Sequence, residues 1–114
     1  QRVIMQQGDA SKLPFRDQEF DLVFSFQALE QMQGIRDRAV SEMARAASKW
    51  VIATEPFAEF NQSAIQKHYM SARGYLDLSI DELPKFGLKP FLVFGDWPHK
   101  LNSGAGLVAA EVTK

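Results

Sequence analysis

The sequence predicts an α/β fold with a mostly parallel sheet, and three observations predict it. Three short apolar runs, Val3-Ile4-Met5, Leu22-Val23-Phe24-Ser25-Phe26 and Trp50-Val51-Ile52-Ala53, are nearly continuous rather than alternating. Such runs suit strands buried on both faces, with helices on each side. A helical pattern separates the second run from the third, so the two enclose a strand–helix–strand unit with the usual right-handed crossover. The chain then closes on two strand-like runs, about Pro90 to Phe94 and Leu107 to Val112, joined by a loop containing Asn102-Ser103-Gly104-Ala105-Gly106. An antiparallel pair is the simplest join there. The expected architecture is three parallel strands plus a C-terminal antiparallel pair, flanked by helices.

Each element has a local reason. The first run ends in Gln7-Gly8-Asp9, where glycine permits a sharp turn. The link to the second run is too long for a tight hairpin, and Pro14 prevents a long helix. The first strand therefore need not lie beside the second. The helix that follows has Ile35, Ala39 and Met43 on one stripe, with Val40, Ala44 and Ala47 beside them. Arg36, Arg38, Glu42, Arg45 and Lys49 lie mostly off that stripe, and Arg38 and Glu42 have pairing distance at i, i+4. Arg45 and Lys49 suit the negative end of the helix dipole. After Pro56, the stretch from Phe57 to Leu78 is aromatic-rich, and Ile65, Tyr69 and Ala72 suggest a helix closed by Gly74. Ser79 and Glu82 match a capping box, and Pro84 keeps the helix behind it short.

Composition bounds the function. With 114 residues the chain has material for one domain and one core. The formal net charge of -1 gives no bulk attraction for nucleic acid or an anionic membrane. The absence of cysteine removes disulfides, zinc–thiolate sites and thiol nucleophiles. His68 and His99 stand far apart, so no metal site is expected. No apolar run approaches the roughly 20 residues of a membrane span, no signal peptide is visible, and the cytoplasm is the expected location.

In open α/β sheets, ligands bind beyond the carboxyl ends of parallel strands. That rule selects Gly8-Asp9-Ala10, Ser25-Phe26-Gln27 and Thr54-Glu55-Pro56. Asp9 offers acceptors for an amine or hydroxyl, and the N–H of Ala10 is a further donor. The competing reading of Asp9 is a cap on a turn. Ser25 lacks the Gly-x-Ser-x-Gly setting of a nucleophile and reads as a packed serine at a strand end. Glu30 and Glu55 form a candidate carboxylate pair, against the commoner role of solvated or capping carboxylates. His68 and Tyr69 are weak candidates for a substrate pocket, with surface or packing roles as the alternative. No Gly-x-Gly-x-x-Gly and no phosphate loop of the Walker type occurs in the chain.

The stretch Gly8-Asp9-Ala10, then Leu13-Pro14-Phe15, then Phe20-Asp21-Leu22-Val23 resembles class I S-adenosylmethionine-dependent methyltransferases related to the ubiquinone and menaquinone biosynthesis enzymes. The resemblance continues through Ser25, Leu29-Glu30, the helix to Lys49, Trp50-Val51-Ile52 and the closing strands. It implies a Rossmann-like sheet with strand order 3-2-1-4-5-7-6 and S-adenosylmethionine as cofactor. On that pattern Asp9 bonds the adenine amine and the Ala10 N–H an adenine nitrogen. Ser25, Phe26 and Gln27 line the methionine side near the transferred methyl. The substrate is then a small-molecule methyl acceptor of unassigned type. Where the family has Leu-Glu-His, this chain has Leu29-Glu30-Gln31, and glutamine does not titrate. The family's first strand, its Gly-x-Gly loop and its ribose-binding acidic residue precede the segment matching Val3. The expectation for residues 1–114 is thus a single truncated domain without the glycine-rich segment, with little or no cofactor affinity and no activity as an isolated chain. Its central sheet edge would be bare, inviting a slide of the first strand onto the second, a homodimer through that edge, or completion by another polypeptide. The alternative function is a non-catalytic module acting through self-association or partner binding.

Overall fold

A computed structural model describes residues 3–29, 32–58, 78–95 and 106–113. Four strands form one sheet: β1 (Phe20–Phe26), β2 (Ala47–Glu55), β3 (Leu88–Phe94) and β4 (Gly106–Val112). Their order is β1-β2-β4-β3. β1 and β2 are parallel, whereas β4 is antiparallel to both β2 and β3. This is the 4-5-7-6 portion of the order implied by the resemblance.

The helix α1 (Arg36–Ala46) makes the crossover between β1 and β2. Its buried side is Ala39, Val40, Met43, Ala44 and Ala46, and three of these are alanines that let the backbone approach the sheet closely. Asp37 stands in its first turn and Arg45 in its last, matching the dipole. The helix ends earlier than its sequence pattern suggests. Ala47 already has extended φ/ψ and opens β2, so Ala47 and Lys49 are strand residues. Glu42 pairs with Arg45 at 2.6 Å rather than forming the expected bond with Arg38.

Two further expectations are corrected. Val3-Ile4-Met5 does not form a strand, so the parallel part of the sheet has two strands, not three. These three side chains are exposed, and none of the described residues supplies a hydrogen-bonding neighbour. A strand is stable only when its backbone groups are paired, so an apolar run without a partner remains irregular. The slide of this segment onto β1 is also not observed. β1 is the outer strand of the described sheet.

The C-terminal half follows its sequence closely. Ser79 and Glu82 form a complete capping box: the Ser79 hydroxyl accepts from the Asp81 N–H, and the Glu82 carboxylate accepts from the Ser79 N–H at 2.8 Å. The helix it opens, Ile80–Phe86, is a 3-10 helix containing Pro84. It stops at Gly87, whose φ of 79° is left-handed. A Cβ at this position would stand 3.3 Å from the Thr113 carbonyl oxygen. Pro90 lies on the outer strand β3, next to a register shift between Pro90 and Leu92, where a missing ladder donor is tolerated. The expected helix between Phe57 and Leu78, with its Gly74 cap, lies largely outside the described residues.

The core lies between α1 and one sheet face. Val51 and Ala53 of β2, Val108 and Ala110 of β4, Leu88, Leu83, Leu29, Phe57 and Leu78 close around Val40 and Met43. No helix among the described residues is long and apolar enough to cross a membrane.

Candidate cofactor site

Two turns are candidate ligand sites: one follows an irregular segment rather than a strand, and the other closes the carboxyl end of β1, where the strand-end rule places ligands. The first is the turn that begins at Asp9. Its Oδ1 accepts from the Ser11 backbone N–H at 2.9 Å and from the Ser11 hydroxyl at 2.7 Å. The Lys12 N–H closes the turn on the Asp9 carbonyl at 3.0 Å. The Ser11 hydroxyl and then its backbone N–H hold the Asp9 carboxyl below the usual carboxylate range. The capping role of Asp9 is therefore realised in this structure. Only Oδ1 makes these two bonds, which leaves the second oxygen for another donor.

A cleft of about 180 Å³ lies beside this turn, lined by Gln6, Gln7, Gly8, Ala10, Leu13, Pro14 and Phe15. Ligand pockets commonly measure about 300–1,000 Å³, so this cleft has room for part of a nucleoside-sized ligand rather than the whole. A Cβ on Gly8 would meet only the Pro14 Cδ at 3.8 Å. Neither a close approach nor a positive φ requires glycine here, so the sharp-turn role expected of Gly8 is not used in this structure.

A clip holds the far wall of the cleft. Arg45 donates to the carbonyls of Phe15 at 2.8 Å and Leu13 at 3.1 Å, and to Asp17 Oδ1 at 2.8 Å. Glu42, bonded to the same guanidinium, accepts from the Leu13 N–H at 2.8 Å. The Arg45 guanidinium keeps the Glu42 carboxyl well below its ordinary value. The Phe15 ring meets Phe20 edge-on at 4.9 Å. The Leu13-Pro14-Phe15 motif is thereby fastened to the end of α1 and the start of β1.

The second group is the carboxyl end of β1. Gln27 follows the strand with φ 48°, in the left-handed region. Its N–H donates to the Thr54 carbonyl at 2.7 Å. The next two amides, Ala28 and Leu29, donate to Glu55 Oε2 and Oε1, each at 3.1 Å. Three successive N–H groups of this turn are thus anchored on Thr54 and Glu55, the end of the neighbouring parallel strand. Glu55 is 0% exposed. A buried carboxylate is tolerated when donors surround it.

The structure brings Gln27 and Glu55 together through this turn. Phe26 projects from the strand end and is 66% exposed. Ser25 lies half-buried, and its Oγ is buried with no hydrogen-bond partner. Such a group calls for a water or a ligand atom. Glu30, His68 and Tyr69 lie outside the described residues. Among the described residues no group of three or more His, Asp or Glu could hold a metal ion.

Sequence reasoning missed two features. The backbone-anchoring role of Glu55 depends on parallel register, Ser25 opposite Ala53 and Phe26 opposite Thr54, which no local pattern gives. The Arg45–Glu42 clip joins residues about thirty positions apart, and its sole trace was a basic residue in the last helical turn.

The Methyltransferase domain family matches residues 1–50. No curated protein matches the chain in sequence. A SAM-dependent methyltransferase from Thermotoga maritima superposes with a TM-score of 0.68 at 17% identity, covering 97% of this chain and 65% of its own. The complex of the Haloferax volcanii Trm112 methyltransferase activator with its methyltransferase gives 0.66 at 16% identity, covering 94% of this chain and 60% of that one. A SAM-dependent methyltransferase from Methanosarcina mazei gives 0.69 at 13%, covering 93% and 65%. The chain therefore spans 60 to 65% of the lengths of these neighbours. The strand order and the structural neighbours give this chain the fold of SAM-dependent methyltransferases.

Proposed function

We propose that this chain carries part of the S-adenosylmethionine site of a small-molecule methyltransferase. The observation that supports it most is the pair of turns, one at Asp9 and one at the carboxyl end of β1. Ala10, next to Asp9, lines a cleft with room for part of a nucleoside-sized ligand, and Ser25 to Gln27 lead from β1 into a separately anchored turn. Asp9 and the Ala10 N–H would hold the adenine side, and Ser25, Phe26 and Gln27 the methionine side. Bound S-adenosylmethionine supplies an electrophilic sulfonium methyl. The residues here would orient the cofactor, hold the acceptor in line and exclude water, which is most of what such a transfer asks of a protein. The reading assigns transfer itself to a domain that also has a glycine-rich loop for the ribose and methionine carboxylate.

The proposal has a calorimetric test with S-adenosylhomocysteine. The 114-residue chain should bind saturably but more weakly than micromolar, because the cleft holds only part of the ligand. Micromolar affinity would contradict a partial site, and no binding would contradict a site of any kind.

A second reading has its own observation. The sheet face away from α1 exposes Leu22, Phe24, Phe26, Trp50, Leu92 and Phe94, and among the described residues β1 is an edge strand. Large exposed apolar patches mark association surfaces. On this reading the protein is a non-catalytic module that pairs with a second copy through β1 or takes a protein partner. The neighbour in complex with an activator supports partner binding as a capacity of the fold. Size-exclusion chromatography giving a clean monomer at all concentrations would count against the dimer.

A further inference from the structure

We propose that Glu55 is the positioning residue of the methyl-transfer turn. Its carboxylate, reaching across from β2, fixes the conformation in which Phe26 and Gln27 face the cofactor. The inference rests on the site reading above and adds to it a residue that does not itself touch cofactor or acceptor.

The geometry carries it. Gln27 adopts φ 48°, a conformation that is uncommon outside glycine, asparagine and aspartate. Such a residue persists when its surroundings over-determine it. Here the surroundings are on both sides of the residue. The Gln27 N–H is held by the Thr54 carbonyl at 2.7 Å, and the two following amides converge on one carboxylate at 3.1 Å each. Both bonds end on the two oxygens of a single carboxyl group. They also act away from water, since Glu55 is 0% exposed. The Leu29 carbonyl then accepts from the Met32 N–H at 3.0 Å, and the Leu29 side chain is buried in the core. The turn is therefore tied to β2 at its start and to the core at its end, with Glu55 joining the two.

A glutamine at this position would test the idea well. It has the same shape, but only its oxygen accepts, and its NH2 would confront one of the two amides. In the Glu55→Gln chain, hydrogen exchange at Ala28 and Leu29 should accelerate roughly 10- to 100-fold relative to Val108 and Ala110 in β4. Equal acceleration at all four amides would mean that Glu55 merely stabilises the fold, and would overturn the proposal. If the variant fails to fold, the wild-type chain still decides. Scalar couplings through the hydrogen bonds, from the Ala28 and Leu29 nitrogens to the Glu55 carboxyl carbon, are expected, and their absence would overturn the proposal.

A ligand arm separates this inference from the cofactor reading. In wild type, S-adenosylhomocysteine should shift the amides of Ser25 to Gln27, and adenosine those of Asp9 and Ala10. In Glu55→Gln the first set of responses should be lost and the second retained. Retention of both would refute positioning by Glu55. Loss of both in wild type would refute the cofactor reading, while the exchange comparison would still judge the clamp.

Discussion

Along β2, Val51 turns to the side of α1 and is 4% exposed, whereas its neighbour Trp50 turns to the opposite face and is 42% exposed. The same division holds across the sheet. Val108 and Ala110 are buried on the α1 side, while Phe24 of β1 is 70% exposed on the other. Both faces are apolar, and they differ in what covers them. Composition gives a strand the capacity to be buried on two sides, but a second layer must supply the contact. Here α1, the 3-10 helix and the segments around Phe57 and Leu78 supply it for one face.

The largest expected effect tests the covered face. Leu88→Ala removes a side chain that is 1% exposed and packed in the main core. It should cost about 2–5 kcal/mol in urea unfolding. A loss below 1 kcal/mol, on the order of a surface change, would mean that this face is not the core.

The next effect concerns the clip that ties residues 13–17 to α1. Arg45→Ala should leave the sheet folded but free the loop, since it removes bonds to Leu13, Phe15 and Asp17 together. Limited trypsin digestion should then cut after Lys12 and Arg16 several-fold faster. Unchanged cleavage, with unchanged unfolding, would show that the guanidinium network holds nothing in place.

Acid should attack the same clip and the capping box, because both rest on carboxylates whose folded-state values are lowered. Arg45 lowers Glu42, and the Ser79 backbone N–H lowers Glu82, each from an ordinary 4.5. Their stabilisation is fully present above that ordinary value and is lost as pH falls through the lowered folded values. Tryptophan fluorescence and amide exchange between pH 6 and pH 2, roughly the range of linked carboxylate titration, should show both contacts failing only below about 4.5. Failure near neutrality would contradict the assignment.

The smallest stability effect belongs to the exposed face. Phe24→Ser and Phe26→Ser should each change unfolding free energy by no more than about 0.5 kcal/mol. They should also reduce self-association in sedimentation. A large loss of stability would mean that these rings are buried in solution.

How far the sequence could be read follows from the range of the interactions involved. The capping box at Ser79 and Glu82 and the shortness of the helix behind it are local, and their residues announced them. The runs at β1 and β2 were legible because their composition is uniform. The strand expected at Val3-Ile4-Met5 is not formed, because apolar composition marks a segment that can pair but names no partner, and no described strand lies beside it. α1 was read too long because Ala47 continues the apolar stripe, yet its extended backbone already pairs with Phe20. In the site, the competing roles of Asp9 were both visible, and the Ser11 bonds show that capping is one of them. Glu55 was noted for its place at a strand end. Its anchoring of two amides across the sheet was not legible, because it depends on register.

The most direct measurement for the central claim is an amide-shift map of the labelled chain titrated with S-adenosylhomocysteine. The account predicts responses at Asp9, Ala10 and Ser25 to Gln27, with β4 and the 3-10 helix unmoved. Responses confined to the exposed face around Phe24 and Trp50, or none at millimolar ligand, roughly the weakest affinity of interest, would contradict it.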